Sequence, residues 1–272
     1  MGKSIGILSI KGGVGKTSSV IALGDAISGF GKKVLLVDGN FSAPNLGIYL
    51  KIIDPEKTLH DVLDRTANLN ETIHKFENFD VLPSAVFNGK KVNTFGLRNK
   101  IKILKNKYDV IIIDSSPALN EETLATMIAS DELIVVTTPD YATLGMTLKA
   151  VKLAKQRKTP INGLILNKVH NKNFELSIDD IEKTANVPVM AVIPHDIEVL
   201  RAVSNFVPLT SHKPKSKASI EYKKLAGTLI GEKYKPFSLK NYFKITPKRQ
   251  EINREIFYKN VFKWILFYFL YK

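Results

Sequence analysis

An α/β fold, with a mostly parallel central sheet covered by helices on both faces, is predicted by three observations. Short apolar runs alternate with helical patterns along most of the chain, those runs are near-continuous in Ile, Val and Leu, and the first leads into a glycine-rich turn that opens a helix. Alternation of this kind builds βαβ units. Strands buried on both faces need apolar residues at successive positions rather than at every second one. The strand-like runs are Ser4 to Ile10, Lys33 to Asp38, Asp109 to Asp114, Leu133 to Thr137, Leu164 to Asn167 and Val189 to Ile193. Between them, Thr17 to Ser28 and Glu121 to Ser130 carry helical spacing, and Gly29 and Gly31 supply a stop for the first. Ala218 to Gly231 carries the helical pattern that closes the domain.

The chain has 272 residues, 44% of them hydrophobic and 24% charged, enough for one large domain, which we place at 1–232. It contains no cysteine, which excludes disulfides, thiolate metal sites, iron–sulfur ligation and cysteine nucleophiles. The five histidines show no metal-ligand spacing. Met1 to Lys3 run straight into the first strand with no signal-peptide pattern, so a cytoplasmic location is expected. The net charge of +14 is uneven: from Ser211 onward fifteen Lys and Arg stand against four Glu, a net +11 that leaves +3 for the first 210 residues. The C-terminal part therefore expects an anionic partner surface, either lipid headgroups or nucleic acid. Residues 233–250, interrupted by Pro236 and Pro247, read as a basic linker, and 251–272 as an amphipathic helix.

The phrase KGGVGKT, Lys11 to Thr17, sits between a strand and a helix, the context of a phosphate-binding loop. Gly12, Gly13 and Gly15 let backbone N–H groups converge on phosphate oxygens with no Cβ in the way. Lys16 offers a point charge to the β and γ phosphates, Thr17 a hydroxyl to Mg²⁺, and the helix N-terminus a favourable dipole. The strict pattern G-x-x-x-x-G-K-[ST] fails, because Ile10 stands where its first Gly belongs. Asp38 and Asp114 each end an apolar strand, at the edge where open parallel sheets bind ligands. Asp114, in VIIID, has the character of a Walker B acid holding the magnesium site, and Asp38 begins a loop, DGNFSAPNLG, placed to close over the γ-phosphate.

With its second lysine, Lys11, the loop resembles those of the deviant Walker A ATPases of the MinD/ParA family. The resemblance covers nearly the whole chain: KGGVGKT, DGNFSAPNLG, VIIIDSSPAL, VVTTPD (Val135 to Asp140), LNK (Leu166 to Lys168) and IPHDIEVLRAVSNFVPL (Ile193 to Leu209). It implies a three-layer P-loop NTPase fold and ATP with Mg²⁺ as cofactors. It also implies a homodimer in the ATP-bound state, in which Lys11 reaches the partner's phosphates. The nucleotide contacts it implies run from Lys11 through Gly12, Gly13, Val14, Gly15, Lys16 and Thr17 to Ser18, with Asn167, Pro194 and Asp196 lining the adenine. Lys11, Lys16, Asp38 and the residue at position 40 are the expected catalytic group, and Thr17 and Asp114 the metal-site residues. One position departs from the family: its usual switch-loop aspartate is Asn40 here, which cannot accept a proton. Slow hydrolysis and a long-lived ATP dimer are expected, since a neutral amide still orients water.

In 251–272, Glu255, Lys259 and Lys263 form one charged stripe, and Trp264 to Tyr271 are all apolar or aromatic. Eight helical residues cover about 12 Å against the roughly 30 Å of a bilayer core, so insertion at the membrane interface is expected rather than spanning. The resemblance implies the same, since MinD-type members carry a membrane-targeting helix here, together with a regulatory protein partner. The expected function is an ATPase that attaches reversibly to the inner face of the cell membrane and positions division or other polar machinery. The alternative is a ParA-like ATPase binding DNA non-specifically in partitioning, which leaves WILFYFLY without a purpose. Cysteine-dependent relatives are excluded, and three tyrosines in an apolar helix read as an interface belt rather than as a tyrosine-kinase tail.

Overall fold

Near-continuous apolar segments become the strands of one sheet whose two faces are separately packed. The structure is a computed structural model describing residues 1–87, 92–234 and 247–270, without the side chains of 262–270. The strands are β1 (Lys3–Leu8), β2 (Val34–Gly39), β3 (His74–Lys75), β4 (Asp80–Leu82), β5 (Val110–Ser115), β6 (Glu132–Thr137), β7 (Ile161–Val169) and β8 (Val189–Pro194). Their order is β3-β4-β2-β5-β1-β6-β7-β8, parallel throughout except for the β3–β4 pair. The helices are α1 (Lys16–Ser28), α2 (Leu46–Tyr49), α3 (Leu59–Leu63), α4 (Leu69–Thr72), α5 (Leu97–Leu104), α6 (Glu121–Ala129) and α7 (Tyr141–Gln156). They continue as α8 (Ile178–Ala185), α9 (Ile197–Ser204), α10 (Leu209–His212), α11 (Lys217–Ile230) and α12 (Arg249–Leu270).

Alternation along each strand divides the core. Ile5 and Ile7 of β1, Leu36 of β2, Ile112 of β5 and Ile134 of β6 pack with α1 and α11 on one face. On the other, Leu133, Val135, Leu164 and Leu166 pack with α7 and α8, and Leu35, Val37, Ile111 and Ile113 with α5. Both faces are thereby removed from water, which is why the strands need apolar residues at successive positions.

All six expected strands form, with shifted ends. β1 stops at Leu8, because Ser9 and Ile10 already belong to the loop, although Ile10 is buried. β7 extends back to Ile161 to pair with β6. β3 and β4, two and three residues long, are too short to carry an apolar run that marks them in the sequence.

The C-terminal helix starts at Arg249, inside the stretch read as linker, and its first turns pack on the domain. Asn253 Nδ2 donates to the Val189 carbonyl at 2.8 Å, Arg254 Nη1 to the Met190 carbonyl at 2.9 Å, and Phe257 packs against the core. Residues 235–246 of the expected linker, and the side chains of Trp264 to Tyr271, lie outside the described residues. Among the described residues no helix is long and apolar enough to cross a membrane.

Candidate nucleotide site

The expected phosphate loop lies at the carboxyl end of β1, in the middle of the sheet, where the chain switches from β1 to α1. Gly13 and Gly15 take φ of +77° and +92°, left-handed values at which a side chain is strained. A Cβ at Gly15 would also stand 2.3 Å from Asn167 Nδ2. Gly15 is the N-cap of α1, whose first turn carries neither a side-chain cap nor an acidic residue, so its N–H groups are left for an anion.

Strand register assembles the charged part. β2 and β5 pair with Asp38 beside Asp114, and Ile7 of β1 also faces Asp114, bringing both carboxylates next to the loop. Lys16 is 7% exposed, Asp114 1% and Asp38 0%. The Lys16 ammonium donates to Asp114 Oδ1, and Thr17 Oγ1 donates to Asp114 Oδ2 at 2.7 Å. Burial, reinforced by the Asp114 charge, pushes Asp38 up to about 7, against hydrogen bonds from the Asn40 and Leu46 N–H groups and the attraction of Lys16. Two buried carboxylates thus share one buried ammonium, an excess of negative charge that a divalent cation would neutralise. The donor set is all oxygen, as Mg²⁺ prefers.

Asp38 also builds the switch loop. Its carboxylate accepts from the backbone N–H of Asn40 at 3.1 Å, Asn45 at 3.1 Å and Leu46 at 3.0 Å, closing the turn into α2. Asn40 is 3% exposed; its Nδ2 donates to the Ala43 carbonyl, leaving Oδ1 buried without a partner among the described residues. Glu122, at the start of α6, holds the same loop by accepting from the Ser42 N–H at 2.8 Å and from its hydroxyl. A cavity of about 240 Å³ is lined by the loop from Lys11 to Ser18 and by Asn40, Asn45, Tyr49 and Pro117.

Lys11 is turned toward α7. Its ammonium donates to Thr143 Oγ1 at 2.8 Å and lies 3.4 Å from Asp140. Burial would raise the Asp140 carboxyl, but hydrogen bonds from Thr138 and Thr143 and the charge of Lys11 hold it at about 2. The residues expected around adenine gather at the ends of β7 and β8, on the same edge of the sheet. Asn167 is buried and donates to the Val14 carbonyl at 2.8 Å, Pro194 ends β8, and Asp196 caps α9 by accepting from the Glu198 N–H at 3.0 Å. The sequence reading did not single out Glu122, Asp140, Thr143 or the ammonium of Lys168, which donates to the Gly13 carbonyl at 2.7 Å. Asp140 and Lys168 belong to the family-like segments VVTTPD and LNK, but their contacts are non-local. Among the described residues no cluster of three metal-ligating side chains occurs.

Loop, carboxylates and cavity fit a magnesium nucleotide, and likeness to known proteins agrees. A family described as an AAA domain matches residues 2–165. An uncharacterized ATP-binding protein of Methanocaldococcus jannaschii is 33% identical over 86% of this chain and 90% of its own length. The septum site-determining protein MinD of Bacillus subtilis is 30% identical over 85% of this chain and 90% of its own. A solved structure of MinD from Pyrococcus horikoshii, complexed with Mg-ADP, is 35% identical and superposes with a TM-score of 0.79, covering 84% of this chain and 96% of that one. The chain belongs to the MinD/ParA family of P-loop ATPases.

Proposed function

We propose that the protein is an ATP-driven membrane switch: ATP and magnesium bind at the loop, two loaded subunits pair, and the pair attaches to an anionic membrane through the C-terminal helix. The observation that carries the nucleotide part is the cluster of buried Asp38, Asp114 and Lys16, joined by the Thr17 hydroxyl, at the glycine loop. Lys16 and residues 12–18 would hold the phosphates, Lys11 would serve the partner subunit's phosphates, Thr17 and Asp114 the magnesium, and Asn167, Pro194 and Asp196 the base. Magnesium would supply charge neutralisation at the phosphates.

Pairing is supported by the rim of the site, where Tyr141 (80% exposed), next to Asp140, and Phe174 (78%) leave large apolar groups in water near a half-exposed Lys11. The tail reading rests on the apolar run Trp264 to Tyr271 next to basic sequence, and pairing would double the number of anchors per complex. Its cellular place would be peripheral at the inner membrane face, positioning division or other polar machinery together with a regulatory protein.

Asn40 sets the expected speed. With Nδ2 committed to Ala43, the free Oδ1 is an acceptor that orients a water hydrogen but takes no proton. Asn40→Asp is expected to raise phosphate release about 100-fold, the low end of what a general base contributes. Unchanged release would remove position 40 from the water-orienting role.

Co-sedimentation tests the whole reading. The full chain and a form ending at Glu232 are mixed with anionic or neutral liposomes, each with ADP or with ATP and magnesium. Binding to anionic vesicles that is strengthened by ATP and lost on truncation is the expected result. Salt-sensitive DNA binding under ATP, with no lipid binding, would replace it by the partitioning reading.

A further inference from the structure

We infer that Asn167 and Lys168 are positioning residues that aim two successive N–H groups of the phosphate loop, an inference that rests on the nucleotide reading above. A trans peptide is planar, with its C=O and N–H pointing in opposite directions. Whatever fixes the carbonyl of one residue therefore fixes the N–H of the next. Lys168 Nζ holds the Gly13 carbonyl at 2.7 Å, which sets the direction of the Val14 N–H. Asn167 Nδ2 holds the Val14 carbonyl at 2.8 Å, which sets the direction of the Gly15 N–H. Among the described residues neither N–H has a protein acceptor, and both belong to the segment lining the loop cavity.

The backbone of β7 is distorted where these two residues project. Its pairing with β8 runs Leu166 to Val192 and then Val169 to Pro194, so β7 carries one extra residue there. Lys168 sits in that bulge with φ of +57°, a left-handed value that disfavours residues with a Cβ. Bulges re-aim side chains, and this one lets two consecutive residues both reach the loop instead of alternating across the sheet. The result is a pair of fixed donors aimed before any ligand arrives.

The test measures magnesium-dependent binding of ATP, tripolyphosphate and adenosine to the full chain and to Lys168→Met, Lys168→Gln and Lys168→Arg, by calorimetry. Loss of a charge-assisted hydrogen bond predicts about tenfold weaker binding of ATP and tripolyphosphate by the Met variant. Adenosine binding should not change, which a general loss of structure would not allow. Gln, a neutral donor, should recover part of the loss. Met binding as tightly as wild type would overturn the inference, as would equal weakening of adenosine. So would recovery by Arg with none by Gln, because Lys168 would then act as a charge on the phosphates. If the wild-type chain binds neither ATP nor tripolyphosphate, the nucleotide reading fails and this inference with it.

Discussion

Asp114→Asn is expected to remove most of the stabilisation that ATP and magnesium give the protein, and to lower the stability of the ligand-free protein without abolishing its fold. The fold should survive because Asn keeps an acceptor for Lys16 and fills the same space. Loss of the neighbouring negative charge also removes one of the two causes that push Asp38 up, which favours the charged form that Lys16 attracts. Burial is the larger cause, so Asp38 should stay above the ordinary carboxylate range. The ligand effect should collapse, because the neutral amide cannot balance a divalent cation; groups supporting a metal site typically cost up to about 100-fold in affinity when replaced. At a ligand concentration about 100 times the wild-type Kd, binding adds about 2.7 kcal/mol to the wild type and roughly 0.4 kcal/mol to a variant binding about 100-fold more weakly. Urea unfolding with and without Mg-ATP measures both. A variant that keeps the full ligand increment would show that Asp114 does not support the magnesium site.

The charged cluster could be read from sequence because each part is local. A glycine-rich turn between strand and helix, and an aspartate at the end of an apolar run, announce themselves within a few residues, and parallel pairing then brings strand ends to one edge. What joins them was not readable. Lys11 finds Thr143, Ser42 finds Glu122 and Lys168 finds Gly13 across most of the domain, in contacts set by register rather than by any spacing. The bulge that turns Lys168 toward the loop leaves no mark in LILNKV beyond an Asn-Lys pair inside a strand. Composition likewise could not show which face of the C-terminal helix meets the domain. The stripe of Glu255 and Lys259 is visible as a period, but the docking contacts come from Asn253 and Arg254 on another face.

That docking makes Arg254→Ala the substitution with the largest expected effect on the fold. Arg254 is 6% exposed, and its Nη1 reaches both the Met190 carbonyl at 2.9 Å and Glu221 Oε2 at 3.0 Å. The β7–β8 pairing skips Met190, running from Val189 to Ala191 against consecutive residues of β7, so the Arg254 guanidinium supplies a partner to the extra residue of a bulge. Truncation would leave Glu221, 9% exposed, with only Lys224 at 3.3 Å among the described residues, and removing one partner of a buried pair costs about 3 kcal/mol or more. The helix has a cheaper outcome, since α12 lies at the edge of the domain and can detach as a unit. Hydrogen exchange should therefore show α12 losing protection while β1 and β5 keep theirs, with a global urea midpoint that falls by less than the full cost. The charge explanation is separable from packing: Arg254→Met combined with Glu221→Gln removes both charges, keeps much of the volume, and should recover most of the lost protection. If the double variant exchanges as fast as Arg254→Ala, packing of the arginine stem rather than its charge holds the helix on the sheet.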